Sequence, residues 1–268
     1  MTDSVITSPA NPRIKALVRL RNRRERDRQG RFLVEGYREL SRALDAGIAL
    51  EELYVAPDLL LGNNEPELIA RASGAGAEVF EVAAEPFRKA SYRDRPEGLL
   101  GVARQFPASL AALDLTGTPL LLVAEGIEKP GNLGTMLRTA DAAGANGVIV
   151  ADPTTDPFNP NVVRASLGTL FTVPLAVADS DAVIGTLRSA GVSILAATPD
   201  GARPHHAVDL TGSVALVVGS EQYGLSAQWL EAADERVVIR MPGRVDSLNA
   251  AMAAGILLFE AVRQREIG

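Results

Sequence analysis

The chain has 268 residues, 47% of them hydrophobic, which suffices for one large or two modest cores and is too apolar for a disordered chain. Cysteine is absent, which excludes disulfides, thiolate metal sites and cysteine nucleophiles and fits a reducing compartment. The net charge of −6 argues weakly against a nucleic-acid partner, but residues 1–31 hold nine Arg or Lys against three acids, a surplus of six that leaves the remainder at −12.

That basic arm reads as a helix over 9–29, with Ile14, Leu17, Val18 and Leu20 as apolar positions among the cations. Its exposed cations (Arg13, Lys15, Arg19, Arg21, Arg23 and Arg24) are candidate contacts to RNA phosphates. Arginine outnumbers lysine 24 to 3, which suits forked phosphate contacts, although an Ala-, Gly- and Arg-rich genome gives the same bias. Strands follow at 31–35 and 53–56, with a helix at 37–46 between them. After a Gly/Asn/Pro turn come a helix at 67–73, a strand at 77–82, a helix at 85–90 and a strand at 99–104. A second basic patch, Arg88, Lys89, Arg93 and Arg95, surrounds Tyr92, a residue suited either to stacking on an unpaired base or to ordinary packing. Residues 1–106 thus form an α/β domain, and the Pro-, Gly- and Thr-containing segment 107–118 reads as a linker.

From 119 to 268 the alternation is cleaner. Strands are expected at 120–124, 147–151, 171–174, 192–197, 214–219 and 236–241, with helices at 133–143, 161–167, 182–190 and 227–232 between them. LLLVA, VIVA and ALVVG are continuous apolar runs, as buried parallel strands require. The last helix, from Ser247 to about Arg265, contains AAMAAGILLF, apolar nearly all round, and needs cover on more than one face, for instance from a second subunit. No run of about 18 apolar residues and no apolar leader occurs, so a soluble cytoplasmic protein without a membrane partner is expected.

Three loops of this half are unusual for scaffolding. KPGNLGTMLRTADAAGA places Gly131 and Gly134 for close backbone approach, Asn132 as a helix cap, and Arg138 six residues on. LVVGSEQYGLS ends a strand at Gly219 and presents Glu221 and Gly224 at a sheet's carboxyl edge, where open α/β sheets bind ligands. VIRMPGRVDSLNAAMAAG delivers Ser247, as helix N-cap, and Asn249, within the first turn, into an apolar helix. Each alone also reads as a capped helix or a glycine-rich turn. His205 and His206 stand in a loop without ligand spacing around them, so no metal is expected. GIEKPGNLG lacks dinucleotide-binding spacing, and no GxSxG elbow occurs.

In order and spacing, NLGTMLRTA, GSEQYGLS and MPGRVDSLNAAMAAG resemble the three signature motifs of the SpoU (TrmH) branch of the SPOUT methyltransferases, over residues 119–265. Upstream, SPANPRIKAL and GRFLVEGYREL resemble the L30e-like substrate-binding domain carried by many of these enzymes. The resemblance implies an α/β fold with a trefoil knot in residues 119–268. It also implies S-adenosylmethionine (AdoMet) as cofactor, transfer of its methyl group to a ribose 2′-hydroxyl of RNA, most directly 23S rRNA, and a homodimer through the last helix. It places Gly219, Ile239 and Leu248, with Thr198 and Met241, at the cofactor, and Asn132, Arg138, Glu221, Ser247 and Asn249 at the reacting ribose. Arg138 serves either as the group that activates the hydroxyl or as an electrostatic clamp, since a guanidinium is costly to neutralise. Two departures stand in the second motif: Ser220 and Gln222 occupy positions where Asn and Gly are common, which bears on the target nucleotide. The competing functions are a non-catalytic RNA-binding or ribosome-assembly protein and a tRNA 2′-O-methyltransferase.

Overall fold

In the computed structural model, which describes residues 5–267, the basic arm forms two helices instead of one: α1 (Pro12–Arg19) and α2 (Arg23–Gln29). Residues 1–4 of the arm lie outside the described part. Asn22 divides the helices because its side chain accepts from the backbone N–H of Arg24 at 2.9 Å, starting a new helix. Carbonyls freed by that break find a donor in Arg26. Its guanidinium donates to the carbonyls of Leu20 (3.0 Å) and Arg21 (2.7 Å) and to Asp156 Oδ2 (2.5 Å). Arg26 is 1% exposed, so one cation of the basic surplus is a core ion pair and not a solvated charge.

Arg26 and Asp156 belong to one compact unit, made of Met1–Phe106 together with Asp156–Thr172. Its sheet contains β1 (Arg31–Glu35), β2 (Leu50–Val55), β3 (Glu78–Glu81) and β4 (Leu99–Arg104) in the order β1-β4-β2-β3. β4 runs antiparallel to both neighbours, and β2 and β3 are parallel. The helices α3 (Tyr37–Asp45), α4 (Glu65–Gly74) and α5 (Ala84–Ala90) connect the strands. Ile14, Leu17 and Leu20 of the arm pack with Leu33, Tyr54, Phe80, Phe87 and Val102 into one core. The arm is therefore a helical layer of the unit. The later segment contributes Phe158 and Phe171, whose rings pack around Phe32 with centroids 4.9 and 6.2 Å away.

Pro107–Thr155 and Val173–Gly268 form the second unit. The expected linker 107–118 is part of it: Leu113 is buried, and the carbonyl of Ala108 accepts from Val177 N at 3.0 Å. In chain order come β5 (Leu120–Glu125), α6 (Pro130–Ala142), β6 (Gly147–Ala151), α7 (Pro160–Ser166, in the first unit), β7 (Leu175–Ala178), α8 (Ser180–Ser189), β8 (Ser193–Ala197), β9 (Arg203–Pro204), β10 (Val214–Val218), α9 (Ala227–Ala232), β11 (Glu235–Val238) and α10 (Ala250–Ile267). The strands order as β7-β6-β5-β10-β8-β11-β9, and every adjacent pair is parallel. A purely parallel sheet is covered on both faces, and β5, β6 and β10 are accordingly buried at every residue.

The strand expected at 171–174 is displaced to β7. Phe171 ends a 3-10 turn in the first unit's aromatic cluster, and Pro174, with no N–H to give, meets β6 only through its carbonyl, which accepts from Val148 N at 2.9 Å, so the strand runs from Leu175. α10 is held at its far end by Arg265, which donates to the carbonyls of Leu210 (3.0 Å), Thr118 (3.0 Å) and Gly212 (2.6 Å). No described helix is long and apolar enough to cross a membrane.

Candidate active site

Three adjacent strands of the second unit, β8, β10 and β11, end at one edge of the sheet, where parallel α/β sheets open a crevice. β10 ends at Val218 and leads into Gly219, where the chain turns back on itself at once. Ser220 N donates to the carbonyl of Gly224 at 3.1 Å, Gly224 N returns the bond at 3.0 Å, and Tyr223 N donates to Ser220 Oγ at 3.1 Å. A Cβ on Gly219 would lie 2.2 Å from the carbonyl carbon and oxygen of Gly224, so only glycine closes this loop. β8 leads into Thr198, whose N–H donates to the carbonyl of Val237 at 3.0 Å, and β11 leads into Ile239 and Met241.

These loops enclose a cavity of about 650 Å³. Thr198, Gly219, Ile239, Met241 and Leu248, the five positions expected at a cofactor, all line it, as do Glu221 and Ser247. Among the described residues the lining carries three carboxylates, Asp200, Glu221 and Asp246, and no Lys or Arg. Sequence reasoning singles out neither Asp200 nor Asp246. The one available signal is adjacency, since Asp246 precedes Ser247 and Asp200 follows Thr198 by two residues.

A chain of side-chain hydrogen bonds runs along the edge of the cavity. Asn249 Oδ1 accepts from the backbone N–H groups of Ala251 (3.0 Å) and Met252 (3.3 Å), so Asn249 itself caps α10. Its Nδ2 is thereby turned to donate to Asn132 Oδ1 at 3.1 Å, and Asn132 Nδ2 in turn donates to Glu221 Oε1. The helix end thus determines the orientation of both amides. Glu221 Oε2 is buried without a hydrogen-bond partner among the described residues.

Two expectations change. Ser247 is not the cap of α10 but an exposed residue ahead of it, and Asn132 is not the cap of α6, which starts from Lys129 with Pro130 in its first turn. Both shifts free a polar side chain from capping and leave it facing the cavity or its edge. Gly131 makes no close approach, since a Cβ there would meet open space. Arg138 is exposed on α6, with no side-chain partner among the described residues, and within one chain it does not join the Asn132–Glu221–Asn249 network.

Residues 119–259 match the SpoU rRNA Methylase family, more than half of the chain. The chain belongs to that family. Residues 11–101 match the MRM3-like substrate binding domain. Among solved structures, this SpoU-family chain is similar to an RNA 2′-O ribose methyltransferase at 43% identity and a TM-score of 0.87, covering 98% of this chain and 100% of the other. It is also similar to an AdoMet-bound rRNA methyltransferase from Sinorhizobium meliloti at 34% identity and a TM-score of 0.89, covering 97% of each chain. The 23S rRNA (guanosine(2553)-2′-O)-methyltransferase RlmP of Bacillus subtilis is 28% identical over 95% of this chain and 97% of its own length.

The cations expected to meet RNA lie in the first unit of this SpoU-family chain and divide into two groups. Lys15, Arg19, Arg24, Arg88 and Arg95 are exposed, Arg23 is exposed beside Asp27 at 3.6 Å, and exposed Lys89 donates to the carbonyl of Pro9. The others are committed to the fold. Arg93 is engaged by Glu39 at 2.8 Å, by Glu97 and by the carbonyl of Glu35 at 3.0 Å, with a side chain only 15% exposed. Burial raises the Glu39 carboxyl above its usual range, an effect that Arg93 opposes. Arg21 donates to the carbonyls of Lys89 (2.6 Å) and Ser91. Arg13 lies over the Phe80 ring, 3.9 Å from its centroid. Tyr92 is 37% exposed and its hydroxyl accepts from Asn161 Nδ2 at 2.8 Å.

Proposed function

We propose that this protein transfers the methyl group of AdoMet to a ribose 2′-hydroxyl of RNA, most directly 23S rRNA. One observation carries the proposal: the loops of the second and third SpoU motifs line one cavity whose described lining has carboxylates and no basic side chain, and Asn132 of the first motif joins Glu221 and Asn249 at its edge in an amide–carboxylate chain held from a helix end. The cavity suits this cofactor. Its volume accommodates a nucleoside-sized molecule, Gly219 keeps backbone at the wall, and Asp200, Glu221 and Asp246 complement a sulfonium and an ammonium group.

AdoMet, when bound, supplies a methyl carbon already activated on a sulfonium. The chain's own residues have the remaining tasks of orienting the ribose and relieving its hydroxyl of a proton. Thr198, Gly219, Ile239, Met241 and Leu248 hold the cofactor. Asn132 and Asn249, with amides fixed in direction by α10 and Glu221, present oriented polar groups to the ribose, and exposed Ser247 adds a hydroxyl beside them. Arg138 clamps the adjoining phosphate and the developing alkoxide, a role that uses its permanent charge.

The reading extends to a trefoil knot in the second unit, RNA docking on the exposed cations of the first, a cytoplasmic location and a homodimer through α10. Met252 and Phe259 on α10 are 61% and 49% exposed, and α10 packs beside α6. A second copy on that face stands against the helix pair that carries Arg138. Light scattering of the purified chain is expected to give twice the chain mass.

The decisive experiment pairs calorimetric titration of AdoMet with methyl incorporation into an unmodified 23S rRNA transcript. One site per chain and a 2′-O-methyl product are expected, and Arg138→Ala is expected to abolish transfer while leaving AdoMet affinity within a few-fold. AdoMet binding with no methylation of any rRNA would favour a non-catalytic ribosome-assembly role, and methylation of tRNA alone would move the substrate.

A further inference from the structure

The departure from the family pattern in the second motif has a structural counterpart. Tyr223 lines the cofactor cavity yet is 77% exposed, among the most exposed large apolar side chains of the described residues. Its phenol meets no hydrogen-bond partner among the described residues. The backbone beneath it is held from both sides, by the paired bonds between Ser220 and Gly224, by Tyr223 N to Ser220 Oγ, and by the Gly219–Gly224 contact that admits no side chain. Beside it Gln222 is exposed on the same cavity, and its amide likewise meets no partner among the described residues. An aromatic ring left in water on a closed turn has no role in the core, which closes over Trp229 without it.

We infer that Tyr223 and Gln222 form a nucleobase subsite at the rim of the reaction cavity: the tyrosine ring is a stacking platform for the base of the nucleotide being methylated, and the Gln222 amide contacts that base's edge. The inference rests on the RNA-methylation reading above. Single-stranded loop nucleotides are recognised with their bases unstacked, and such a displaced base is stabilised by an aromatic face in the protein. The turn carries Glu221 between the Ser220 bridge and Tyr223, so the platform is mechanically linked to the Glu221–Asn132–Asn249 chain. The base and its own ribose are thereby positioned by one loop.

The test uses the full chain, an unmodified 23S rRNA transcript and AdoMet, with Tyr223→Ala, Tyr223→Phe and Gln222→Ala. Loss of one base–aromatic stack lowers kcat/KM for the RNA by about tenfold to a hundredfold. Tyr223→Phe, which keeps the ring, is expected to stay within about threefold of wild type, and AdoMet affinity by calorimetry is expected to be unchanged in all three. Gln222→Ala is expected to lower kcat/KM for the RNA less than Tyr223→Ala. Ultraviolet cross-linking of the bound transcript is expected to yield a nucleotide adduct on the peptide bearing Tyr223. Unchanged kcat/KM in Tyr223→Ala overturns the subsite. A fall in AdoMet affinity equal to the fall in turnover also overturns it, because the ring then covers the cofactor. Wild-type protein that binds AdoMet but methylates no RNA overturns the functional reading itself, and the subsite with it.

Discussion

Arg26→Met is expected to destabilise the first unit far more than removal of any other cation of the basic arm. The guanidinium makes three hydrogen bonds, to the carbonyls of Leu20 and Arg21 and to Asp156 Oδ2, and Asp156 is itself 7% exposed with its other oxygen already lacking a partner among the described residues. Methionine keeps most of the apolar stem, so what is lost is the charge, and Asp156 is left as an unpaired buried carboxylate. Breaking a buried ion pair in this way costs about 3–5 kcal/mol. For a unit of this size each kcal/mol moves the melting temperature by roughly 3–5 °C, giving a fall of roughly 10 °C or more. The exposed Arg23–Asp27 pair, at 3.6 Å, is worth at most about 1 kcal/mol and serves as the control. The assay is urea denaturation and calorimetric melting of wild type, Arg26→Met, Asp156→Leu and the double variant. Replacing both charges removes the uncompensated carboxylate, so the double variant should be less destabilised than the two single losses together by at least about 2 kcal/mol. Additive losses, or an Arg26→Met protein that melts with wild type, would refute the account of Arg26 as a core residue.

Gly219→Ala should abolish AdoMet binding in calorimetry while leaving the far-ultraviolet spectrum intact, because its Cβ meets the Gly224 backbone at 2.2 Å and the turn must open; retained affinity would show that the loop is not part of the site. Replacing Lys15, Arg19 and Arg24 with alanine should weaken rRNA binding and reduce the slope of log affinity against log salt by up to about 0.7–0.9 for each phosphate no longer neutralised, measured by anisotropy at several salt concentrations. Arg21 is left out of that set because its bonds to the Lys89 and Ser91 carbonyls would add a folding defect. The side-chain hydrogen bond from Arg263 depresses the Glu260 carboxyl from 4.5 to about 2, with Gln264 and the charge of His205 acting in the same direction. A depressed folded-state pKa contributes stability above the unfolded value that is lost as pH falls from about 4.5 toward 2. Melting temperatures of wild type and Glu260→Gln should therefore differ at neutral pH and converge below pH 3, whereas a constant difference across that window would contradict the assignment.

Much of the candidate site's clustering was legible in the amino-acid sequence because its parts are local. Gly219, Glu221, Leu248 and Asn249 sit in loops whose glycines and polar residues interrupt apolar runs, and strands buried on both faces announce themselves by LLLVA and ALVVG. The shape of each loop is set within a few residues, so the loops stand out locally, whereas the roles of Leu248 and the other positions are what the family resemblance implies. Which polar group caps which helix was not legible: Ser247, Asn249 and Asn132 are all good caps by residue type, and the choice fell to Asn249 once α10 began at Ala250. The fate of the arginines was equally hidden. Arg26 and Arg24 look alike in a basic helix, yet one is buried against Asp156, 130 residues away, and the other is exposed. The sequence alone determines the amount of charge and the periodicity of apolar residues. Only the tertiary structure decides which charges find a partner, because a distant carboxylate or a broken helix's open carbonyls turn a solvated cation into a core residue.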